Sequence, residues 1–272
     1  MLIGAVSLGW AGQPLPQVFE QARSMGGEYL ELNSRPALHD GLILSADNIS
    51  QARARAKAAG IRIGGVSGYN DFAQTDPAAL QVEVQGLLSA CHLAAELGAT
   101  VVRAFAGEPK PGLSLDDVWP ALVDGLQQAA QLAEPLGVTL GVENHGLLLN
   151  DGPTLARLIE EVGAPNVGVT LDTGNFCWVG HSRAQAHADV KAVLPYVVNV
   201  HIKDGIWRAG LFELVPAGMG ELPLVEWLDT LVEFGYRGPV CSEFEGAGDF
   251  LEGTRRSIQH LLSWRNSRKP TD

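Results

Sequence analysis

Cysteine, basic charge and long apolar runs are all scarce in this chain. Its three cysteines, Cys91, Cys177 and Cys241, are scattered without metal-type spacing. That excludes a disulfide framework and suits a reducing compartment. No stretch of about 18 uninterrupted apolar residues exists, so no membrane-spanning helix is expected. Lys and Arg number 19 against 31 Asp and Glu, a formal net charge of −12, which leaves little basic surface for a nucleic-acid partner. The opening MLIGAVSLGW has no basic segment and no long apolar core, so it reads as a strand rather than a signal peptide. A cytoplasmic location is the expectation. No G-x-G-x-x-G stretch follows that first strand, which argues against a dinucleotide-binding sheet.

What the chain does have is alternation. Over 272 residues, 46% of them hydrophobic, short β-rich runs alternate with amphipathic helical runs. The strands are expected at 2–9, 28–34, 61–68, 100–107, 138–145, 167–172, 196–204 and 239–245. Helices are expected from Pro14 to Gly26, from Ala46 to Ala59 and from Pro77 to Leu97, with apolar residues three and four apart. Ser114, three residues before Asp117, is placed to cap a fourth helix ending near Gly137. Further helices start near Gly152, Ser182, Leu222 and Asp249. Gly60, Gly98, Gly137 and Gly235 each follow a helix, where a left-handed residue ends it. Eight units of about 34 residues suit parallel strands with crossover helices, and their regularity favours a closed, single-domain (β/α)8 TIM barrel over residues 1–272. The tail, 266–272, is expected to be flexible.

Several buried-looking strands end abruptly in polar residues: TLGVENHG in Glu143, VGVTLD in Asp172, VVNVHIKD in His201, Lys203 and Asp204, and PVCSEFE in Glu243 and Glu245. Side chains alternate along a strand, so Glu143 shares a face with Gly141 and Thr139, Asp172 with Thr170 and Gly168, and His201 with Asn199. The aliphatics Val142, Leu140, Leu171, Val169, Val200 and Ile202 take the opposite face, towards the helices. The polar residues then converge at the carboxyl ends of the strands, where barrel enzymes place their chemistry. Asp172 follows Glu143 by 29 residues and His201 follows Asp172 by 29, which predicts equivalent heights on consecutive strands. Two Glu, one Asp and one His suit one divalent ion, Mn²⁺, Mg²⁺ or Co²⁺, with Zn²⁺ a further option.

Other polar residues near the mouth have two readings each. Lys203 and Asp204 are substrate contacts or a local ion pair; Glu31, Asn33 and Arg103 are substrate contacts or barrel-mouth structure; His145 contacts substrate or stabilises its loop. Trp10, Tyr69, Phe105, Phe176 and Trp207 are candidates for an apolar wall. Glu245 reads as a surface residue, and His39, His92, His181, His187 and His260 have no supporting pattern.

The segments GVENHG, GVTLDTGN, VVNVHIKD, PAGMGELP and GYRGPVCSEFE, in this order, resemble the xylose isomerase-like superfamily of sugar isomerases and epimerases. The resemblance implies that Glu143, Asp172, His201 and Glu243 hold the metal, with Glu143 and Glu243 as the acid–base pair. It implies a keto-sugar or keto-polyol substrate that passes through an enediolate, with Arg208, in the loop after HIKD, meeting substrate hydroxyls. Lys203, Asn175, His145, Arg103 and Tyr69 are further candidate substrate contacts, although Asn175 departs from the histidine of some ketose epimerases. A dehydratase of an inosose or dehydroshikimate-like compound is the alternative, and a catalytically silent sugar-binding barrel a distant third. The same superfamily contains apurinic-site endonucleases, which need extra histidines. Here Asn175 of DTGN stands where one would be, and VSGYN and RAFAG supply none. Gly246 and Gly248 precede the last helix, where barrels often hold phosphate, but Asp249 would repel an anion there; an unphosphorylated substrate is expected. The assembly is left open, with a homodimer or homotetramer as candidates.

Overall fold

A computed structural model describes residues 1–35 and 46–268; His39 and residues 269–272 of the tail lie outside them. Eight parallel strands close into a barrel: β1 (Ile3–Val6), β2 (Tyr29–Asn33), β3 (Arg62–Ser67), β4 (Val101–Ala104), β5 (Thr139–Glu143), β6 (Val167–Asp172), β7 (Val197–Ile202) and β10 (Val240–Ser242). The strands are mostly shorter than the β-rich runs, because the last residues of each run leave the ladder to form the loops at the mouth. The main helices are α1 (Leu15–Ser24), α2 (Ala46–Ala59), α3 (Pro77–Leu97), α4 (Leu115–Ala133), α5 (Gly152–Val162), α7 (Arg183–Val193), α8 (Leu224–Phe234) and α9 (Phe250–Ser267), with a single turn, α6 (Asn175–Trp178), after β6.

Local chemistry explains the boundaries. Ser114 and Asp117 form a reciprocal capping box at the start of α4, and Ser182 and Gln185 do the same for α7. Helix α8 begins two residues later than the expected Leu222, behind Pro223. Val142, Leu140, Leu171, Val169, Val200 and Ile202 are buried in the large apolar core between barrel and helices, as the alternation requires.

The segment after β7 is an antiparallel hairpin of β8 (Asp204–Arg208) and β9 (Leu211–Val215). Its two-residue turn has Ala209 at φ 48° and Gly210 at φ 83°, the doubly left-handed geometry that matches strand twist. Asp204 anchors the return of this segment by accepting from the backbone N–H of Gly205, Gly218, Gly220 and Leu222. Asp204 thus holds this return in place, while Lys203 pairs with Asp172, Glu243 and Glu245 rather than with it.

A small cluster of Val6, Tyr29 and Cys241 packs apart from the large core. Gly4 makes room for it: a Cβ there would lie 2.0 Å from the Tyr29 carbonyl oxygen on the paired strand. Gly4→Ala should accordingly lower stability by about 1–3 kcal/mol, the usual cost of overpacking. Urea unfolding measures this, and an unchanged midpoint would show that β1 and β2 can part without strain.

Candidate metal centre

Glu143, Asp172, His201 and Glu243 meet at the carboxyl mouth of the barrel. One ligand-type atom from each lies within 4.8 Å of all the others, and all four residues are buried. Register explains the convergence. His201 is the cross-strand partner of Asp172, with Cys241 on its other side, while Glu143 is level with Thr170. Equal spacing in sequence thus does not mean equal register: Glu143 and Glu243 are each two residues away from direct pairing with their neighbours. The stagger of tilted strands, together with the irregularity between Val169 and Thr170, brings the four side chains to one level.

The chain holds these groups firmly. Asn144 braces Asp172 with both ends of its amide, accepting from the Asp172 N–H at 2.8 Å and donating to the Asp172 carbonyl at 2.9 Å. The N–H groups of Gly174 and Asn175 donate to Asp172 Oδ1. Asn175 donates to Glu143 Oε1 at 3.0 Å, and Arg103 Nε lies 3.4 Å from Glu143 Oε2. Lys203 Nζ lies 3.2 Å from Asp172 Oδ2, 3.0 Å from Glu243 Oε2 and 2.6 Å from Glu245 Oε2, and donates to Asn175 Oδ1 at 3.2 Å. Each of the two glutamates is thus matched by its own cation.

Three atoms pointing into the cluster, Asp172 Oδ2, Glu243 Oε2 and His201 Nδ1, are buried without a well-formed hydrogen bond. Such groups are costly unless something satisfies them. Of the buried groups around the cluster, Glu31, Glu143, Asp172 and Glu243 bring four negative charges and Arg103 and Lys203 two positive ones. With His201 neutral the balance is −2, which one dication cancels. Donors on opposite sides of such an ion lie about 4.2 to 5 Å apart, depending on the ion, so the observed span suits a single one. The donor set fits Mn²⁺, Mg²⁺ or Co²⁺.

The titration of the metal-free cluster reflects the same excess. Burial pushes the Asp172 carboxyl up to about 8, in spite of Lys203 and with help from Glu243 and Glu143. Burial works against a charged His201 too, yet Glu31 and Glu243 hold its pKa well above the ordinary imidazole value. Burial likewise opposes ionisation of Glu243, but Lys203 and His201 hold its carboxyl well below the usual range.

The expected substrate contacts divide. Lys203, Asn175 and Arg103 touch the cluster directly. The Arg103 guanidinium lies 3.9 Å over Phe105 and 4.9 Å from the Tyr69 ring, its Nη1 without a hydrogen-bond partner. His145 packs on Phe105 with ring centroids 4.4 Å apart, so Tyr69, Phe105 and His145 form one continuous wall with Arg103. Arg208 is not brought to the cluster; it ends β8 at the hairpin tip, exposed and paired with Glu213 at 3.5 Å. Trp10 and Phe176 are fully buried and belong to the core. Glu245 is exposed at the rim. Sequence reading left Glu31 and Asn33 open and gave Asn144 no role. Asn33 donates to the Tyr69 hydroxyl, and Glu31 lies 2.9 Å from His201. The signal for both was the period-two pattern Tyr29, Glu31, Asn33 in a fully buried strand. A separate cavity of about 670 Å³ beside α8 is lined by none of the four clustered residues.

An L-ribulose-5-phosphate 3-epimerase of Salmonella typhi is 26% identical over 172 residues, which make up 60% of this chain and 57% of that protein; the match thus spans less than two thirds of that relative. A D-psicose 3-epimerase from Clostridium cellulolyticum H10, solved with D-tagatose, superposes with a TM-score of 0.80 at 17% identity, covering 98% of this chain and 99% of that one. A xylose isomerase-like TIM-barrel protein of Mycobacterium smegmatis in complex with magnesium gives 0.80 at 18% identity, over 98% and 97%. Among the described residues no helix is long and apolar enough to cross a membrane. A model of the xylose isomerase-like TIM barrel matches residues 19–264, and the chain belongs to that family.

Proposed function

We propose that the protein is a divalent-metal-dependent isomerase or epimerase of a keto-sugar or keto-polyol. The observation that carries this reading is the pair of buried glutamates, Glu143 and Glu243, in a four-residue cluster whose ligand-type atoms all lie within 4.8 Å of one another. Glu143, Asp172, His201 and Glu243 would hold the ion, which supplies a Lewis acid to polarise a substrate carbonyl. Likeness to an epimerase in sequence favours proton transfer over dehydration.

The chain's own groups suit that chemistry. Glu143 and Glu243 stand on β5 and just beyond β10, on either side of β6 and β7 in the barrel, so a substrate lying between them meets a carboxylate on each side. One takes the proton from the carbon beside the carbonyl, leaving an enediolate, and the other delivers a proton. Delivery to the opposite face of the same carbon inverts it; delivery to the neighbouring carbon interconverts ketose and aldose. The Lys203 ammonium, held among three carboxylates, stands ready to stabilise the developing oxyanion. Arg103, Tyr69, Phe105 and His145 offer a wall with hydrogen-bond donors for the rest of the sugar. Asp249 caps α9 by accepting from the Glu252 N–H, so a carboxylate already sits at the helix start that would otherwise attract phosphate. This supports an unphosphorylated substrate.

Incubation of metal-loaded protein with a keto-sugar panel in D₂O tests the reading. Deuterium should enter the substrate at carbon without loss of water, and Glu143→Gln and Glu243→Gln should each lose about 10²- to 10⁴-fold in turnover. Loss of water would mark a dehydratase, tight binding without exchange a silent binder, and near-normal turnover in both variants would refute the acid–base pair. Metal binding carries its own pH signature. At neutral pH the metal-free protein holds protons on Asp172 and His201, whose pKa values are both raised, and a bound ion requires both to leave. Mn²⁺ should therefore release about one to two protons at pH 7 and bind more weakly as pH falls. Calorimetry in buffers of different ionisation enthalpy counts these protons; binding without release would contradict the ligand set.

A further inference from the structure

Glu31 is fully buried in the barrel, far along the chain from the four clustered residues. Both of its oxygens are engaged. Ser67 Oγ donates to Oε1 at 2.6 Å, Asn199 Nδ2 donates to Oε2 at 2.8 Å, and His201 Nε2 lies 2.9 Å from Oε2. An ionised carboxylate only accepts, so Nε2 of His201 carries a proton in this contact. Nδ1, the other ring nitrogen, faces the cluster, 3.2 Å from Glu243 Oε2 and 3.8 Å from Glu143 Oε1, with no well-formed hydrogen bond.

The backbone is shaped around this contact. The β2–β3 ladder slips between Leu30 and Glu31, so that Leu30 pairs with Ile63 and Glu31 with Gly65. Gly64 is the extra residue of this bulge, a feature that re-aims side chains next to functional sites. A Cβ on Gly65 would lie 3.0 Å from Glu31 Cγ and 3.2 Å from Oε2, so the absence of a side chain there leaves Glu31 its place. Glu31 belongs to no ion pair with Lys203, and its polar contacts run through Ser67, Asn199 and His201.

We propose that Glu31 is a positioning residue for the metal centre: it fixes His201 as the Nε2–H tautomer, turns Nδ1 towards Glu143, Asp172 and Glu243, and makes that nitrogen a better donor. The proposal rests on the metal-binding reading above. A carboxylate behind a ligating imidazole fixes ring orientation and raises basicity, and its loss typically costs about 10- to 100-fold in metal affinity. Asn199 and Ser67 in turn hold the carboxylate.

Mn²⁺ titration of the metal-free protein and its Glu31→Gln variant, followed by calorimetry, tests the assignment. The variant should bind Mn²⁺ about 10- to 100-fold more weakly, while the unfolding midpoint of the metal-free form changes little and saturating Mn²⁺ restores most of the turnover. Nitrogen NMR of the Mg²⁺-loaded wild type should show the His201 proton on Nε2. Equal Mn²⁺ affinity in the two proteins, or a His201 proton on Nδ1, would overturn the role of Glu31 and leave the metal centre standing. Wild-type protein that binds no Mn²⁺ would overturn both. If Glu31→Gln does not fold, Ser67→Ala is read the same way, with a smaller weakening expected and unchanged affinity counting against the proposal.

Discussion

Burying like charge in an apolar shell is the constraint around which this molecule is organised. Glu31, Glu143, Asp172 and Glu243 are all withdrawn from water at one end of a barrel packed with Val, Leu and Ile. Isolated, each carboxylate would carry a large desolvation cost and would protonate rather than stay ionised. Two cations, Arg103 and Lys203, each set against a glutamate, remove part of the excess. A dication among the inward atoms would remove the rest. The raised Asp172 carboxyl, pushed up first by burial and then by Glu243 and Glu143, and the imidazole of His201, raised by Glu31 and Glu243, both follow from this crowding.

That arrangement separates labour among similar groups. The carboxyls of Glu143 and Glu243 stay below the usual range because their cationic neighbours outweigh burial, so both are ionised at neutral pH. Asp172 is braced through its backbone by Asn144 and through Oδ1 by two N–H groups, which leaves Oδ2 alone to face inward. Lys203, wedged between Asp172, Glu243 and Glu245, links the buried cluster to the open rim. The aromatic wall of Tyr69, Phe105 and His145 closes the side where Arg103 enters.

Much of this was legible in the sequence, for a physical reason. A strand buried on both faces has no use for a carboxylate or an imidazole unless the barrel bore needs it, so Glu143, Asp172, His201 and Glu243 stood out from their aliphatic neighbours. Periodicity also placed the helices, and Gly60, Gly98, Gly137 and Gly235 all take positive φ at helix ends. What stayed hidden depends on register and three-dimensional return. The bulge at Leu30 and Glu31 is invisible in one strand alone, so Glu31 remained ambiguous until its neighbour β3 and the distant β7 were in place. The hairpin of β8 and β9 escaped notice because Trp-Arg-Ala-Gly carries only one glycine where two left-handed residues are needed. Arg208 went with it, carried outwards on a strand rather than inwards on a loop. Asp204, next to Lys203 in sequence, turns to collect four backbone N–H groups instead.

If these four side chains share a single ion, anomalous diffraction from crystals grown with Mn²⁺ should reveal it. One strong peak per chain is expected, bonded to Glu143, Asp172, Glu243 and Nδ1 of His201. Well-ordered side chains with no peak between them at saturating Mn²⁺, or an ion held through Nε2 instead, would contradict it.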